Sequence, residues 1–583
     1  MNLPRLLRTV RHLRRSQITG QLTLRVRRYF ENPARQLAVK PPTRPAVNWS
    51  LRTPFIAPHE RDEPHITHGT FTFINQTHEI GFPPQWKPPG LPLLWQYNLH
   101  YHEFLWSLEY DSAKAVVQDW IAHHPPQRGA VGWSPYPTSL RLMNWLALFY
   151  GQWREQIQAD TSFQDELWAS VWRQTRWLAK HLETHLGGNH LFENAVALAF
   201  VGACWDGPQA NAWSQAGWQL LAGELDEQVL PDGMHFERSP MYQCRMLYAL
   251  SMLANVANPT DLAWVSEKIK AMSQALGYLT HPDGDIALFN DAARDIYLAP
   301  ASVCAFANRV TEQSPTGATP DTLPKDAWSM TLPDAGFYVG YAHNNGYVVC
   351  DAGALGPDYL LGHAHADMLS FELTLGGQRL VVDGGTYDYV ESSMRRYCRS
   401  VKAHNTVQVD AGDQAEFWGA FRVGRRGRAK VLDYQTLPDG FRMRAQHNGF
   451  AHQPGQPIHC RDFRWHHNGT LMLRDTVTGR RGSTATSRLH LAPGTVVQKL
   501  DEGRLSVTLG SLRCMIYASG PGVLELGQAD HCPDFGRRQG GPLLSWTWPI
   551  EEGAQAIAIT VEASDACLDV QHGLTRDQGV LAF

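Results

Sequence analysis

The stretch LGHAHADMLSFELTLGGQRLVVDGGTYDY (Leu361–Tyr389) carries a strand signature and a group of ionisable side chains together. Leu369, Phe371, Leu373 and Leu375 alternate with polar neighbours, a period of two that lines one face of a sheet. Gly376-Gly377 supplies a tight turn and Leu380–Val382 returns, so the run predicts a β-hairpin ending at Asp383. His363 and His365 stand two apart and share a side on an extended segment. His404 opens a further β-branched run in SVKAHNTVQVD (Ser400–Asp410). Two or three imidazoles and one carboxylate, delivered by neighbouring strands, suit zinc, which takes nitrogen and oxygen ligands tetrahedrally. In a chain with 26 His, the alternative is a set of separate, hydrogen-bonded imidazoles.

Downstream the strand signal continues. FYVGYA and GYVVCDA precede the hairpin from about Asp334, and TVQVD, RLSVTLG, LRCMIYA, LLSWTW and AIAITVEA follow it. Alternation with frequent turns predicts a large antiparallel sandwich. Upstream, from Leu93 to about Val310, apolar residues recur at three and four, as in SLRLMNWLALFYGQW, NAVALAFVGACW and SPMYQCRMLYALSMLANVA. Gly, Pro, Asp and Asn punctuate these helices. No repeat of constant period is found, which favours a closed α/α toroid over a solenoid. The expected architecture is α+β and multidomain: an N-terminal α/α toroid (an incomplete barrel) followed by a C-terminal antiparallel β-sandwich. The expected divisions are 1–92 (basic arm and Pro-rich wrapping segment), 93–333 (toroid) and 334–583 (sandwich).

Composition narrows the classes of function. Hydrophobic content of 43%, charged content of 19% and a net charge of −4 describe an ordinary globular chain and give no sign of a nucleic-acid partner. Nine Cys without a CxxC pair argue against a disulfide framework and against a cysteine-built zinc site. Twenty Trp supply a large core and, in a groove, flat surfaces for the C–H faces of sugars. The opening MNLPRLLRTVRHLRRSQITGQL has no apolar h-region readable as a secretion signal. The expected location is therefore cytoplasmic or envelope-associated, with the periplasm and secretion left open. This arm is basic and amphipathic, Leu3, Leu6, Leu7, Val10 and Leu13 against Arg5, Arg8, Arg11, Arg14 and Arg15. It suits peripheral contact with an anionic membrane surface, a grip on an acidic polymer, or packing on its own domain.

Two helical stretches look chemical. LGGNHLFENAVAL places Asn189 and His190 at a helix entrance after Gly187-Gly188, with Asn194 further along. DGMHFERSPMYQC puts His235, Glu237 and Arg238 before a helix opened by Ser239-Pro240, so Tyr242 lies on its first turn. Capping by Asn189 or Ser239 and core packing by Tyr242 are the structural alternatives. Together with His363 these types fit β-elimination of a uronate. Asn and His donors neutralise the carboxylate, which makes the C5 proton acidic, and Tyr and His serve as base and acid. The carboxylate pair of glycoside hydrolysis is not needed.

The motifs GGNHLFENAVAL, LPDGMHFERSPMY, GHAHADMLSFEL, VVDGGTYDY and KAHNTVQVD occur in one order along a chain that resembles the heparinase II/III-like polysaccharide lyases. LWQYNLHYHEFL, SPYPTSLRLMNW and the basic opening are similar to a subgroup associated with bacterial exopolysaccharide clusters. The resemblance implies a bacterial lyase of anionic, uronate-containing polysaccharide, with Asn189 and His190 on the uronate carboxylate. Tyr242 would be the acid, and for one C5 configuration the base, with His363 the base for the other. It implies a divalent metal, zinc, chiefly structural, on His365, Asp383 and His404. Substrate contacts are expected from Asn98, His100, Tyr101, Arg141, Asn144, Asn194, His235, Arg238, Tyr387, Trp418 and Arg422. A metal-dependent hydrolase and a non-catalytic polysaccharide-binding protein are the competing readings. The oligomeric state is not legible.

Overall fold

The computed structural model describes residues 3–30, 39–47, 49–59, 63–127, 129–294, 296–312, 326–551 and 555–563. Helices carry the first half and antiparallel sheets the second, the α+β order expected.

Helix Gly188–Cys204 is buried along nearly its whole length and, beyond the polar Asn189, His190, Glu193 and Asn194 of its first turns, is apolar on every side. It packs against helices Pro135–Leu146, Pro208–Gln228 and Pro240–Val256, so it has no solvent face to make polar. Its approach to Pro208–Gln228 depends on glycine. A Cβ on Gly217 would lie 2.3 Å from the Ala199 amide nitrogen, and one on Gly202 would lie 2.3 Å from that of Ser214. Helix starts follow local chemistry: Asp160, Ser239 and Asn258 accept from the backbone N–H three residues on, and prolines follow Ser239 and Asn258. The Pro-rich segment before Leu93 is less irregular than its composition suggests. It contains helix Glu63–Thr67 and a hairpin, Thr70–Phe73 with Gln76–Glu79. Phe71 and Phe73 from that hairpin enter the helical core beside Phe104 and Trp95.

The second half begins with a five-stranded meander: Trp328–Leu332, Phe337–Tyr341, Tyr347–Asp351, Phe371–Leu375 and Gln378–Val381. Its last two strands are the hairpin read from the sequence, pairing Leu375 with Gln378 around Gly376 and Gly377, both at positive φ. This sheet is buried on both faces. Phe337, Val339, Tyr347 and Val349 pack on Met234, Leu279 and Phe289 of the helical half. The alternate residues Tyr338, Val348, Leu373 and Cys350 pack into the sandwich core with Phe463 and Trp465. The meander therefore fastens the two halves together. Behind it lie an eight-stranded and a four-stranded antiparallel sheet.

The basic arm forms two helices, Leu3–Val10 and Arg15–Phe30. Arg8 bonds Glu416 through two nitrogens, and Thr9 Oγ1 accepts from Trp418 Nε1 at 3.1 Å. Arg14 reaches Glu227 at the end of helix Pro208–Gln228 and lies over the Tyr359 ring. Its polar side thus faces the body of the molecule, while Leu3, Leu7, Val10, Ile18, Leu22 and Val26 face outward and are exposed. Among the described residues no helix is long and apolar enough to cross a membrane, and all eight described cysteines are free.

Candidate active site

A cleft of about 590 Å³ is lined by both halves of the molecule. Asn189, His190 and Tyr242 enter it from the helical half, and His363, Tyr387 and Tyr389 from the other. Asn189 and His190 are set by the turn at Gly187 and Gly188, both at positive φ, where the chain enters its helix. Tyr242 stands on the first turn after the Ser239 cap.

The Tyr242 hydroxyl is hydrogen-bonded to that of Tyr389 at 3.1 Å, and its ring centroid lies 4.4 Å from that of His363. Burial pushes the Tyr242 phenol well above its ordinary range, and Tyr389 adds to the effect. His363 Nδ1 donates to Asp291 Oδ2 at 2.8 Å, while its Nε2 lies 3.5 Å from Glu237 Oε2. Glu237 also accepts from the Asn189 N–H at 3.3 Å, and burial raises its carboxyl above the usual range. His190 rests on the Tyr136 ring with Nδ1 3.1 Å from Glu183 Oε1. Burial opposes charge on this imidazole, but Glu183 and then Glu237 outweigh it and shift its pKa upward.

Asp291 organises the far side of His363. One oxygen takes His363, the other takes His365 Nε2 at 2.8 Å, and Arg395 Nη2 donates at 2.8 Å. Burial would raise this carboxyl, but Arg395 first, then His363 and His365, hold it well below the carboxylate range. Neighbouring His363 and His365 thus do share a side, on one carboxylate.

His404 Nδ1 donates to Asp383 Oδ2 at 2.7 Å, and the His365 and His404 rings are 5.4 Å apart. Among the described residues no three His, Cys, Asp or Glu side chains are arranged to hold a metal ion. His365 Nδ1 and His404 Nε2 are nonetheless buried with no protein hydrogen-bond partner.

The expected substrate contacts divide. Asn98, Tyr101 and Tyr387 line the cleft. His100, Arg141, Asn144, Asn194, His235 and Arg238 do not, because each is spent on the scaffold. Arg141 is fully buried, donating to Gln174 and to the carbonyls of His100 and Gly132. Asn144 bridges Trp106 and the Tyr101 carbonyl, and Asn194 bridges the Glu183 N–H and Ser139. His100 accepts from Trp120 Nε1, His235 meets Gln228, and Arg238 donates to the carbonyls of Ala335 and Asp334. Trp418 and Arg422 also lie off the cleft, stacked on each other on hairpin Ala415–Trp418/Arg422–Arg426. Phe421, between them, reaches the lining instead.

Sequence reasoning gave no role to Tyr389, Glu237, Asp291 or Arg395. Tyr389 follows Tyr387 by two, and Glu237 sits inside a motif already singled out, so both carried a signal. Asp291 and Arg395 are 104 residues apart and meet only in the fold.

Residues 109–302 match the family described as Heparinase II/III N-terminus, and residues 324–548 match Heparinase II/III-like, C-terminal. A heparin-sulfate lyase of Pedobacter heparinus is 27% identical over 257 residues, 40% of this chain and 38% of that protein. One from Bacteroides thetaiotaomicron is 23% identical over 369 residues, 55% of this chain and 51% of that protein. The chain thus aligns with only about a third to a half of the length of these relatives. Among solved structures, heparinase III superimposes with a TM-score of 0.65 at 16% identity, covering 82% of this chain and 79% of that one. A heparan sulfate lyase HepC mutant from Pedobacter heparinus does so with a TM-score of 0.63 at 18% identity, covering 94% and 88%. At such identities the structural likeness is one of fold. The first match covers most of the helical half and the second takes in the whole meander; together they include Asn189, His190, Tyr242 and His363, and the chain belongs to the heparinase II/III-like family.

Proposed function

We propose that this protein is a polysaccharide lyase that cleaves a uronate-containing chain by β-elimination. The observation that carries the reading is the convergence of Asn189, His190, Tyr242 and His363 on one cleft from separate segments. Asn189 and the His190 imidazole take the uronate carboxylate and stabilise negative charge as it develops. The C5 proton passes to Tyr242 or His363, according to the configuration at C5. The C5–H electron pair forms the C4–C5 double bond, the C4–O bond breaks, and the departing oxygen takes a proton from Tyr242. A phenol raised by burial is suited to the donating step. When it also accepts, its own proton passes to the departing C4 oxygen in concert with arrival of the C5 proton, and the Tyr389 hydroxyl at 3.1 Å holds the phenol in position. The heparin-sulfate lyases among the relatives support the same reaction class. The test is near-ultraviolet absorbance of unsaturated uronate during incubation with a panel of uronate polymers. Tyr242→Phe is expected to lower turnover by about 10²–10⁴-fold. Full activity in that variant would remove Tyr242 from the chemistry.

A divalent metal, zinc by its donor set, would be held by His365, Asp383 and His404. Support comes from the buried His365 Nδ1, which has no protein partner, from the His404 ring 5.4 Å away and from the Asp383 carboxylate on His404 Nδ1. Such a metal would brace the wall behind His363 through the His365–Asp291–His363 chain. Elemental analysis is expected to find about one equivalent, lost in His404→Ala. A metal-free protein of full stability would overturn the assignment.

Peripheral contact of the arm with an anionic membrane is supported by its outward aliphatic stripe. Residues 1–30 contain no Asp or Glu, and the exposed Arg11, Arg15 and Arg25 accompany the stripe. Co-sedimentation with anionic but not neutral vesicles, lost on Leu3→Ser/Leu7→Ser, is the expected result.

A further inference from the structure

A sulfate ester is permanently ionised, so each one drawn into a desolvated cleft requires a cation or a set of donors. Among the described residues lining this cleft there is no Arg and no Lys. Three carboxylates, Glu103, Glu237 and Asp388, line it instead. The two imidazoles in the lining already face acids, His190 against Glu183 at 3.1 Å and His363 against Asp291 at 2.8 Å. Guanidinium groups just behind the wall are committed elsewhere. Arg245 pairs with Glu193 at 2.5 Å and reaches Glu103 at 3.6 Å, Arg395 is bound to Asp291, and Arg238 is spent on backbone carbonyls. Asn189 and His190 can receive one carboxylate, and among the described lining residues no further cationic side chain is provided for a second fixed anion.

The other polar groups of the wall, Gln76, Asn98 and the tyrosine hydroxyls, are neutral, and much of the remainder is aliphatic or aromatic. Leu93, Leu94, Leu186, Ile296, Leu360 and Phe421 all line it. Aliphatic surface of this kind matches sugar C–H faces and the methyl groups of acyl esters, N-acetyl groups or deoxy sugars. It would desolvate a sulfate without compensation.

We infer that the cleft selects an unsulfated uronate polymer, one carboxylate per recognised unit with apolar substituents, and discriminates against sulfated glycosaminoglycans. This rests on the lyase reading and adds the substrate class to it. The discrimination is electrostatic, a difference between two chains of one backbone, and arises from the cost of an unpaired anion rather than from an attractive contact.

The test compares heparan sulfate with its unsulfated, N-acetylated backbone, using the full-length protein and initial rates of unsaturated-uronate formation. The unsulfated chain is expected to have a kcat/KM at least about tenfold higher. Equal or faster turnover of the sulfated chain would overturn the inference and leave the lyase reading standing. Absence of turnover on either chain, and on unsulfated O-acetylated bacterial uronate polymers, would count against the lyase reading. The inference would then be decided by affinity electrophoresis of Tyr242→Phe in gels containing each polymer. Stronger retardation by the unsulfated chain, persisting as salt is raised, supports it. Retardation by the sulfated chain alone, abolished by salt, overturns it.

Discussion

The molecule contains two buried carboxylates built almost alike. Asp475, in the sandwich core, accepts from Arg461 through two nitrogens, from His459 Nε2 at 2.8 Å and from Ser487 at 2.7 Å. Asp291, behind the cleft, accepts from Arg395, His363 and His365. Both are completely buried, and both carboxyls are held far below the usual range by an adjacent guanidinium against the opposing effect of burial. Ser487 on Asp475 stands where Asp291 takes His365, but the telling difference is access. His459 is sealed, whereas His363 keeps 15% of its side chain exposed at the cleft. An Arg–Asp–His cluster is thus sealed in the core in one place, while in the other it holds an imidazole that reaches the cleft, where the proposed chemistry would use it. Access of one imidazole to substrate separates them, and the cluster's composition does not.

The sharpest way to break the parallel is to remove each carboxylate. Asp475→Ala leaves Arg461 buried and unpaired, and a loss of about 3–5 kcal/mol is expected in urea unfolding, with turnover per folded molecule unchanged. Asp291→Asn keeps the shape but loses the charge and one of the two acceptor oxygens that His363, His365 and Arg395 share. A fall in turnover of about 10²-fold on the substrate epimer that uses His363 is expected, measured by steady-state kinetics, with the fold intact by circular dichroism. If Asp475→Asn lowered turnover equally, the distinction between the two clusters would fail.

Acid should affect the sandwich in a calculable direction. Asp475 has a folded pKa below its unfolded value, so its contribution to stability is present above about pH 4 and is lost as pH falls through the folded value. Wild-type Tm should therefore decline below about pH 4, and the decline should be shallower in Asp475→Asn. Swapping the imidazoles gives a smaller, cleaner contrast: His363→Gln should impair turnover with little change in Tm, and His459→Gln should do the reverse. The smallest effect is expected at Glu237, whose carboxyl is raised by burial. Its charged form costs stability at neutral pH, so Glu237→Gln, which keeps an acceptor for the Asn189 N–H, should raise Tm by about 1–3 °C while lowering activity.

Legibility followed the range of the interactions. The hairpin 369–382 was readable because its pattern and its Gly-Gly turn are local. Five strands between Ala429 and His490 gave no such signal. They are studded with Arg, Asp and His, and the charges either face outward, as in the alternating burial of Gly440–His447, or pair inside, as Arg461 does with Asp475. Polar residues on helix faces misled in the opposite direction. Arg141, Asn144 and Asn194 look like binding residues in one dimension, but they satisfy backbone groups at helix ends and turns.

The sequence by itself determined the order of helix before sheet, the helix start at Ser239, and the residue types proposed for proton transfer, Tyr242 and His363. These depend on periodicity, capping and side-chain chemistry within a few residues. Only the tertiary structure decided that Tyr389 would meet Tyr242, that Asp291 would hold His363 and His365 on one carboxylate, and that no described Arg or Lys would line the cleft. Those outcomes depend on burial and on contacts between residues far apart in the chain, where desolvation, not identity, sets what a charged group can do.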